Sequence, residues 1–469
     1  MWRAVGLAGA KVIAVARLLV LAWLLVPDDF GLFAMAFVPL NLLLGVTDVG
    51  MIPALVQRQD VHESDYHAAW TVGVVRGLAI SLVLVAAGSV LAGVFGDPRA
   101  AAVIRVLAFR PLIAATASIR VAALERELRF RSLAMIDISG AVINAALAIA
   151  LARQLGVWAL VIGTLADAVT CVVASYILAP HTPRFAFDRE RARSLLNFGR
   201  WLLAGGIAAM IGEAVLQATI SRTLGTGALG RYSLASNLAL APGGMVGALI
   251  GSVAFAVHAR VFPDEKQVAR VFRASVIATV VLLLPAYSIL VAIAPALVTS
   301  LFDARWQGTA PVLQLLVVAG LLGLGFDTTT AMFLGAGRPR SFAVLAVIFS
   351  ATVILLAWPL TRGWGLEGAA TARIVADLAV LIGSIVLART VLKHPLQGLA
   401  VPLGSTLVAA AAGAAAAGLI VRSSPTVGAV VGAGVAGLAV AGLLLWLLDH
   451  WLKLGIRRDS ALVIPALRP

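Results

Sequence analysis

Residues 5–36 read VGLAGAKVIAVARLLVLAWLLVPDDFGLFAMA, and the break at Val26-Pro27-Asp28-Asp29 inside this run decides how the chain is built. About 20 apolar residues at 1.5 Å each cross the ~30 Å hydrocarbon core of a bilayer. The run before the break therefore predicts one membrane span, and the run after it the next. The first run, 5–26, carries Lys11 and Arg17 and has no small-x-small cleavage site before Pro27, so it reads as an uncleaved span and not a secretory signal.

Working outward, the same alternation of apolar run and polar break continues to the far end of the chain. Candidate spans fall near 5–26, 31–56, 68–95, 101–123, 133–152 and 157–179, then 198–221, 232–257, 275–301, 309–336, 341–360 and 365–388. Two glycine- and alanine-rich spans near 399–421 and 426–448 bring the expected total to fourteen. Composition agrees: 61% of the 469 residues are apolar and only 12% charged, against roughly 45–50% apolar in soluble domains. A soluble enzyme or a nucleic-acid-binding domain is excluded as the main body of this chain.

The net charge of +14 is explained by topology. The termini and even-numbered connections, counted with Lys11 and Arg120 of the adjoining spans, hold 23 Lys and Arg, and the odd-numbered connections hold 7. Positive charge is retained on the cytoplasmic side, which predicts a multi-pass protein with both termini in the cytoplasm, its basic rim touching anionic lipids. The lone cysteine, Cys171, provides neither a disulfide nor a cysteine metal site.

The chain also repeats itself. Asp29-Phe30-Gly31-Leu32-Phe33-Ala34-Met35-Ala36 aligns with Ala228-Leu229-Gly230-Arg231-Tyr232-Ser233-Leu234-Ala235. Arg131-Ser132-Leu133-Ala134 aligns with Arg340-Ser341-Phe342-Ala343, and Ala166-Asp167 with Ala376-Asp377. Each copy holds six spans, so the copies run in the same sense as parallel repeats about the membrane normal. The expected architecture is all-α: two six-helix pseudo-symmetric bundles, 1–180 and 198–390, around a central cavity. A cytoplasmic linker at 181–197 carries a short surface helix, and 391–469 holds two further transmembrane helices and a cytoplasmic tail. In the last span Gly428, Gly432 and Ala436 form a small-residue stripe suited to close helix packing or dimer formation.

Taken in order, the chain resembles a known family. The pieces are Leu24-Leu25-Val26-Pro27-Asp28-Asp29-Phe30-Gly31, Thr47-Asp48-Val49-Gly50, Phe95-Gly96-Asp97-Pro98, Leu124-Glu125-Arg126-Glu127-Leu128-Arg129-Phe130-Arg131 and Leu334-Gly335-Ala336-Gly337-Arg338-Pro339-Arg340. Over residues 1 to 395 they are similar to the polysaccharide-transport, Wzx-type flippases of lipid-linked oligosaccharides, within the multidrug/oligosaccharidyl-lipid/polysaccharide exporter superfamily. The sequence departs from that pattern at Trp23 and at Leu216-Gln217. The resemblance implies a flippase that moves an undecaprenyl-pyrophosphate-linked oligosaccharide across the bacterial inner membrane by alternating access, for cell-surface polysaccharide biosynthesis. It implies no cofactor. Its partners would be that lipid-linked sugar and membrane lipids, with polysaccharide polymerase and glycosyltransferases as further candidates and no nucleic acid.

Ionisable groups at membrane depth are expensive and default to functional candidates. Arginine suits a pyrophosphate because its planar fork stays charged and grips phosphate oxygens in pairs. Arg17, Arg76 and Arg373 are the preferred headgroup contacts, with Arg105 and Arg110 as further candidates. Arg105 and Arg110 are five residues apart and do not share a helix face. Glu213, Asp327 and Asp48 are the candidates for cation or proton coupling, although Asp48 also reads as a capping residue. Asp167 and Asp377, at matching places in the repeats, suggest a shared helix-pairing job, and Arg373 stands four residues before Asp377, where the two can neutralise each other.

No Gly-x-x-x-x-Gly-Lys-Ser/Thr nucleotide loop is present, so ATP is not the expected direct driver. The alternatives are a drug or metabolite antiporter of the same superfamily, which would call for a more acidic cavity, and a scaffold or enzyme of polysaccharide assembly. The short odd-numbered connections leave little room for enzyme chemistry, and no catalytic or metal-ligating residues are assigned.

Overall fold

The computed structural model describes residues 2–47, 62–127, 129–185, 200–262, 264–423 and 426–452. Every regular element among them is helical. In chain order these are α1 (Trp2–Leu24), α2 (Pro27–Val46), α3 (Glu63–Phe95), α4 (Ala100–Leu107), α5 (Phe109–Ala115), α6 (Val121–Arg126), α7 (Phe130–Leu155) and α8 (Val157–Leu178). They are followed by α9 (Arg200–Leu224), α10 (Thr226–Val261), α11 (Glu265–Leu301), α12 (Thr309–Gly335), α13 (Pro339–Ala388), α14 (Ala400–Ser423) and α15 (Val427–Leu452). Among the described residues, ten helices are long and apolar enough to cross a membrane: α2, α3, α7, α8, the Leu203–Leu224 part of α9, and α11 through α15. The protein is a polytopic all-α membrane protein.

Three expected spans take a different form. Span 101–123 is not one helix but α4, α5 and α6, and Pro111 explains the first of the two breaks. It has no N–H for the carbonyl four residues back, and its ring crowds that carbonyl, so the run is interrupted at Ala108. Conversely, spans 341–360 and 365–388 share the 50-residue α13. As a straight rod it would reach about 75 Å, far beyond a ~30 Å core. It breaks at Trp364 and Gly365, where φ of 60° at the glycine is open to a residue without Cβ. Residues 186–197 of the expected 181–197 linker lie outside the described residues.

The chain forms two compact units, Met1–Gly230 and Arg231–Pro469. In the first, α7 packs against α1 and α8, α2 against α4 and α9, and α3 against α4 and α5, with α5 also touching α8. In the second, α11 is central, contacting α12, α14 and α15, while α12 packs on α13 and α14 on α15.

A polar corner holds the first unit together at its inter-helix turns. Asp29, in the first turn of α2, accepts from the Val26 N–H at 3.3 Å and from the Val157 N–H at 3.0 Å, tying α2 to the start of α8. Between α3 and α4, Asp97 accepts from Arg99 Nη2 at 2.7 Å and Thr226 Oγ1 at 2.6 Å, and Arg99 also reaches Asp28 at 3.4 Å. Ser221 Oγ donates to the Phe95 carbonyl at 2.7 Å. The Arg99 bond, joined by that of Thr226, pulls the Asp97 carboxyl down to about 2.

That depressed value predicts a pH window. A carboxylate held below its ordinary ~3.8 stabilises the fold above that pH, and the contribution disappears as pH falls from there through about 2. Asp97→Asn should therefore lower the apparent melting temperature at pH 7 by the equivalent of about 1 kcal/mol, since the largely exposed Arg99 is screened by solvent. The gap to wild type should persist to pH 4 and close between pH 4 and 2. A constant gap down to pH 2 would reject the ionic role.

Candidate functional site

The first unit encloses a cavity of about 470 Å³ between α3, α5, α7 and α8, lined mostly by apolar groups. Trp70, Arg76, Arg110, Ile136 and Cys171 contribute to its wall. Glycine makes the wall possible. A Cβ on Gly77 would stand 2.7 Å from the Ala115 Cβ and 2.8 Å from the Pro111 carbonyl, so only glycine lets α3 lie this close to α5. The close approach brings Arg76 and Arg110 to one space.

The two arginines are held differently. Arg76 donates from Nε to Thr47 Oγ1 at 2.9 Å and from Nη2 to the Leu44 carbonyl at 2.7 Å, fastening α3 to the end of α2. Arg110 faces Asp167 on α8 at 3.9 Å, an ion pair by distance but too long for a hydrogen bond. Its Nε is buried with no hydrogen-bond partner. A guanidinium carries five donors, so Arg110 keeps capacity for an anion that Arg76 has partly spent.

Behind Arg110 lies a small charged cluster. Arg17 on α1 donates to the Asn144 amide oxygen on α7 at 2.5 Å and is within electrostatic reach of Asp167. Asp137 and Cys171 share the same surroundings. Gly140 permits the arrangement: a Cβ there would sit 2.5 Å from Asp167 Oδ1 and 2.6 Å from Cys171 Sγ.

The remaining sequence candidates sit elsewhere. Arg105 is exposed and donates to Ser89 Oγ at 2.6 Å, outside the lining of this cavity. Glu213 on α9 accepts from Gln217, one turn on, at 2.9 Å. In the second unit, Arg373 Nε donates to Asp377 at 2.9 Å and its guanidinium lies over Phe349 at 4.9 Å. Asp327, exposed on α12, is within electrostatic reach of Asp377. Asp48 lies outside the described residues. Asn144 was not singled out by sequence, and Asp167 was read as a helix-pairing residue; both owe their place to contacts between distant helices.

Fold and cavity together define a multi-pass helical membrane protein whose first compact unit holds a mostly apolar cavity with two arginines in its wall. The chain belongs to the polysaccharide biosynthesis protein family, whose model matches residues 20–311. It is 27% identical over 301 residues to the succinoglycan biosynthesis transport protein ExoT of Rhizobium meliloti, covering 64% of this chain and 61% of that protein. Over 324 residues it is 24% identical to the lipopolysaccharide biosynthesis protein WzxC of Escherichia coli, covering 68% and 66%. The chain thus matches just under two thirds of the length of these relatives. Among solved structures, the lipid II flippase MurJ in an inward closed conformation superposes with a TM-score of 0.73 at 13% identity, covering 95% of this chain and 98% of that one. An inward-facing multidrug resistance MATE family transporter gives 0.68 at 17% identity, covering 81% and 94%. These likenesses establish the fold.

Proposed function

We propose that this protein is a flippase that carries a polyprenyl-pyrophosphate-linked oligosaccharide across the bacterial inner membrane by alternating access, with both termini in the cytoplasm. The observation that carries the reading is Arg110: a half-buried cation whose Nε is buried without a hydrogen-bond partner, on the wall of a 470 Å³ cavity that also presents Arg76. A cation at membrane depth is costly unless an anion or water meets it, and a pyrophosphate offers the matching oxygens. The family membership and the names of the relatives support the same substrate class. The chain acts as a transporter, not an enzyme, and works beside the polymerase and glycosyltransferases of the same assembly route. An inside-negative potential assists outward movement of the anionic headgroup by ~2.3 kcal/mol per charge per 100 mV.

The direct test is deletion of the gene in a strain without a redundant homologue. Lipid-linked oligosaccharide should then accumulate on the cytoplasmic leaflet, and normal export would reject the flippase reading. Complementation with Arg76→Ala should restore export only in part, several-fold below wild type, because its loss frees α3 from α2 as well as removing a positive charge. Full rescue would remove Arg76 from the site. Drug accumulation in the deletion strain with normal export would point instead to the antiporter.

A further inference from the structure

The two repeats place an aspartate at the same point, Asp167 and Asp377, 210 residues apart, yet pair it in opposite ways. In the second unit the pair is closed: Arg373 stands one turn before Asp377 on the same helix and is hydrogen-bonded to it at 2.9 Å. In the first unit the position corresponding to Arg373 is Gly163, and the cation comes from another helix as Arg110. There the pair is open, at 3.9 Å, and the arginine's Nε has no partner.

Resting on the flippase reading, we propose that Asp167 is a displaceable counter-ion: it neutralises Arg110 when the cavity is empty and passes to Arg17 when a pyrophosphate takes Arg110. Three features carry this. Arg110 bridges two environments, lining the cavity and facing Asp167. Arg17, held by Asn144, is a second cation within electrostatic reach of the same carboxylate. The bare face of α7 at Gly140 lets the carboxylate lie against the helix instead of being clamped by a side chain. An intramolecular anion that occupies the binding cation reduces apparent affinity by the fraction of time it sits there. It also gives the cation somewhere to go when the substrate leaves, so that release does not strand a bare charge in a low-dielectric interior.

The test uses the full-length protein in lipid nanodiscs with geranylgeranyl pyrophosphate as the probe. Asp167→Asn removes the competitor and should bind the probe about tenfold more tightly, while export in complemented cells falls at least tenfold because release is slowed. Asp167→Glu should restore both values toward wild type. Arg17→Gln removes the receiving cation and should weaken binding several-fold in the wild-type background, with no effect in the Asp167→Asn background. This coupling separates exchange from direct contact by Arg17. Unchanged or weaker binding by a folded Asp167→Asn overturns the proposal and leaves the flippase reading standing. If Asp167→Asn fails to fold, the Arg17→Gln result in an Asp167→Glu background decides: a loss of affinity supports exchange, and none refutes it. Failure of the wild type to bind the probe rejects both the proposal and the reading it rests on.

Discussion

Arg110→Ala is expected to reduce export of lipid-linked oligosaccharide at least thirtyfold in the complemented deletion strain, the largest loss of any single substitution in the cavity. Truncating one member of a buried charge pair costs about 2–5 kcal/mol in binding; the half-buried Arg110 falls at the lower end, and 2 kcal/mol is about thirtyfold. Arg110 presents its donors to the cavity and leaves one buried N–H unsatisfied, so an anion there would gain bonds that no protein group supplies. Arg110→Lys should recover only part of the loss, because an ammonium keeps the charge but cannot make the paired, in-plane contacts of a guanidinium. The readouts are lipid-linked oligosaccharide on the cytoplasmic leaflet and polysaccharide at the surface. Export within threefold of wild type in Arg110→Ala would move the anion site away from this cavity.

The second large effect is structural and concerns the crossing of α2 with the start of α10. A Cβ on Gly230 would run into the Pro27 carbonyl, lying 2.7 Å from its carbon and 3.0 Å from the Gly31 nitrogen. A Cβ on Gly31 would collide with the Thr226 carbonyl in the same way, 2.8 Å from its carbon. The atoms met are backbone, which cannot turn aside as the end of a side chain can. The neighbouring turns are already fixed by Asp29 on Val157 and by Asp97 on Thr226. Overpacking commonly costs 1–3 kcal/mol and more where the surroundings cannot yield. Gly31→Ala and Gly230→Ala should each lower the apparent melting temperature by about 10 °C, at roughly 2–4 °C per kcal/mol in chains of this kind. Gly418→Ala, in α14 with nothing within 4 Å of the added carbon, should lower it not at all. Equal behaviour of the three variants would show that the crossing is loose.

Gly31 and Gly230 were visible in the sequence only as matching letters of the repeat, and the structure gives the match a meaning. Each glycine stands where the other helix's backbone passes, so the repeated motif is a packing device at this crossing. The Arg373–Asp377 pair was legible because helical pitch alone puts residues four apart side by side. Nothing local in the sequence distinguishes Arg105, turned toward Ser89, from Arg110, turned into the cavity.

The sequence by itself determined the class of the protein. The length of the ~20-residue apolar runs follows from the thickness of the bilayer and the rise of a helix, which act on every chain alike. Only the tertiary structure decided which charges meet between different helices. Arg17 finds Asn144 127 residues away, and Arg110 finds Asp167 across two helices. Those pairings depend on how closely bare glycines let apolar faces pack, which no spacing along one helix records.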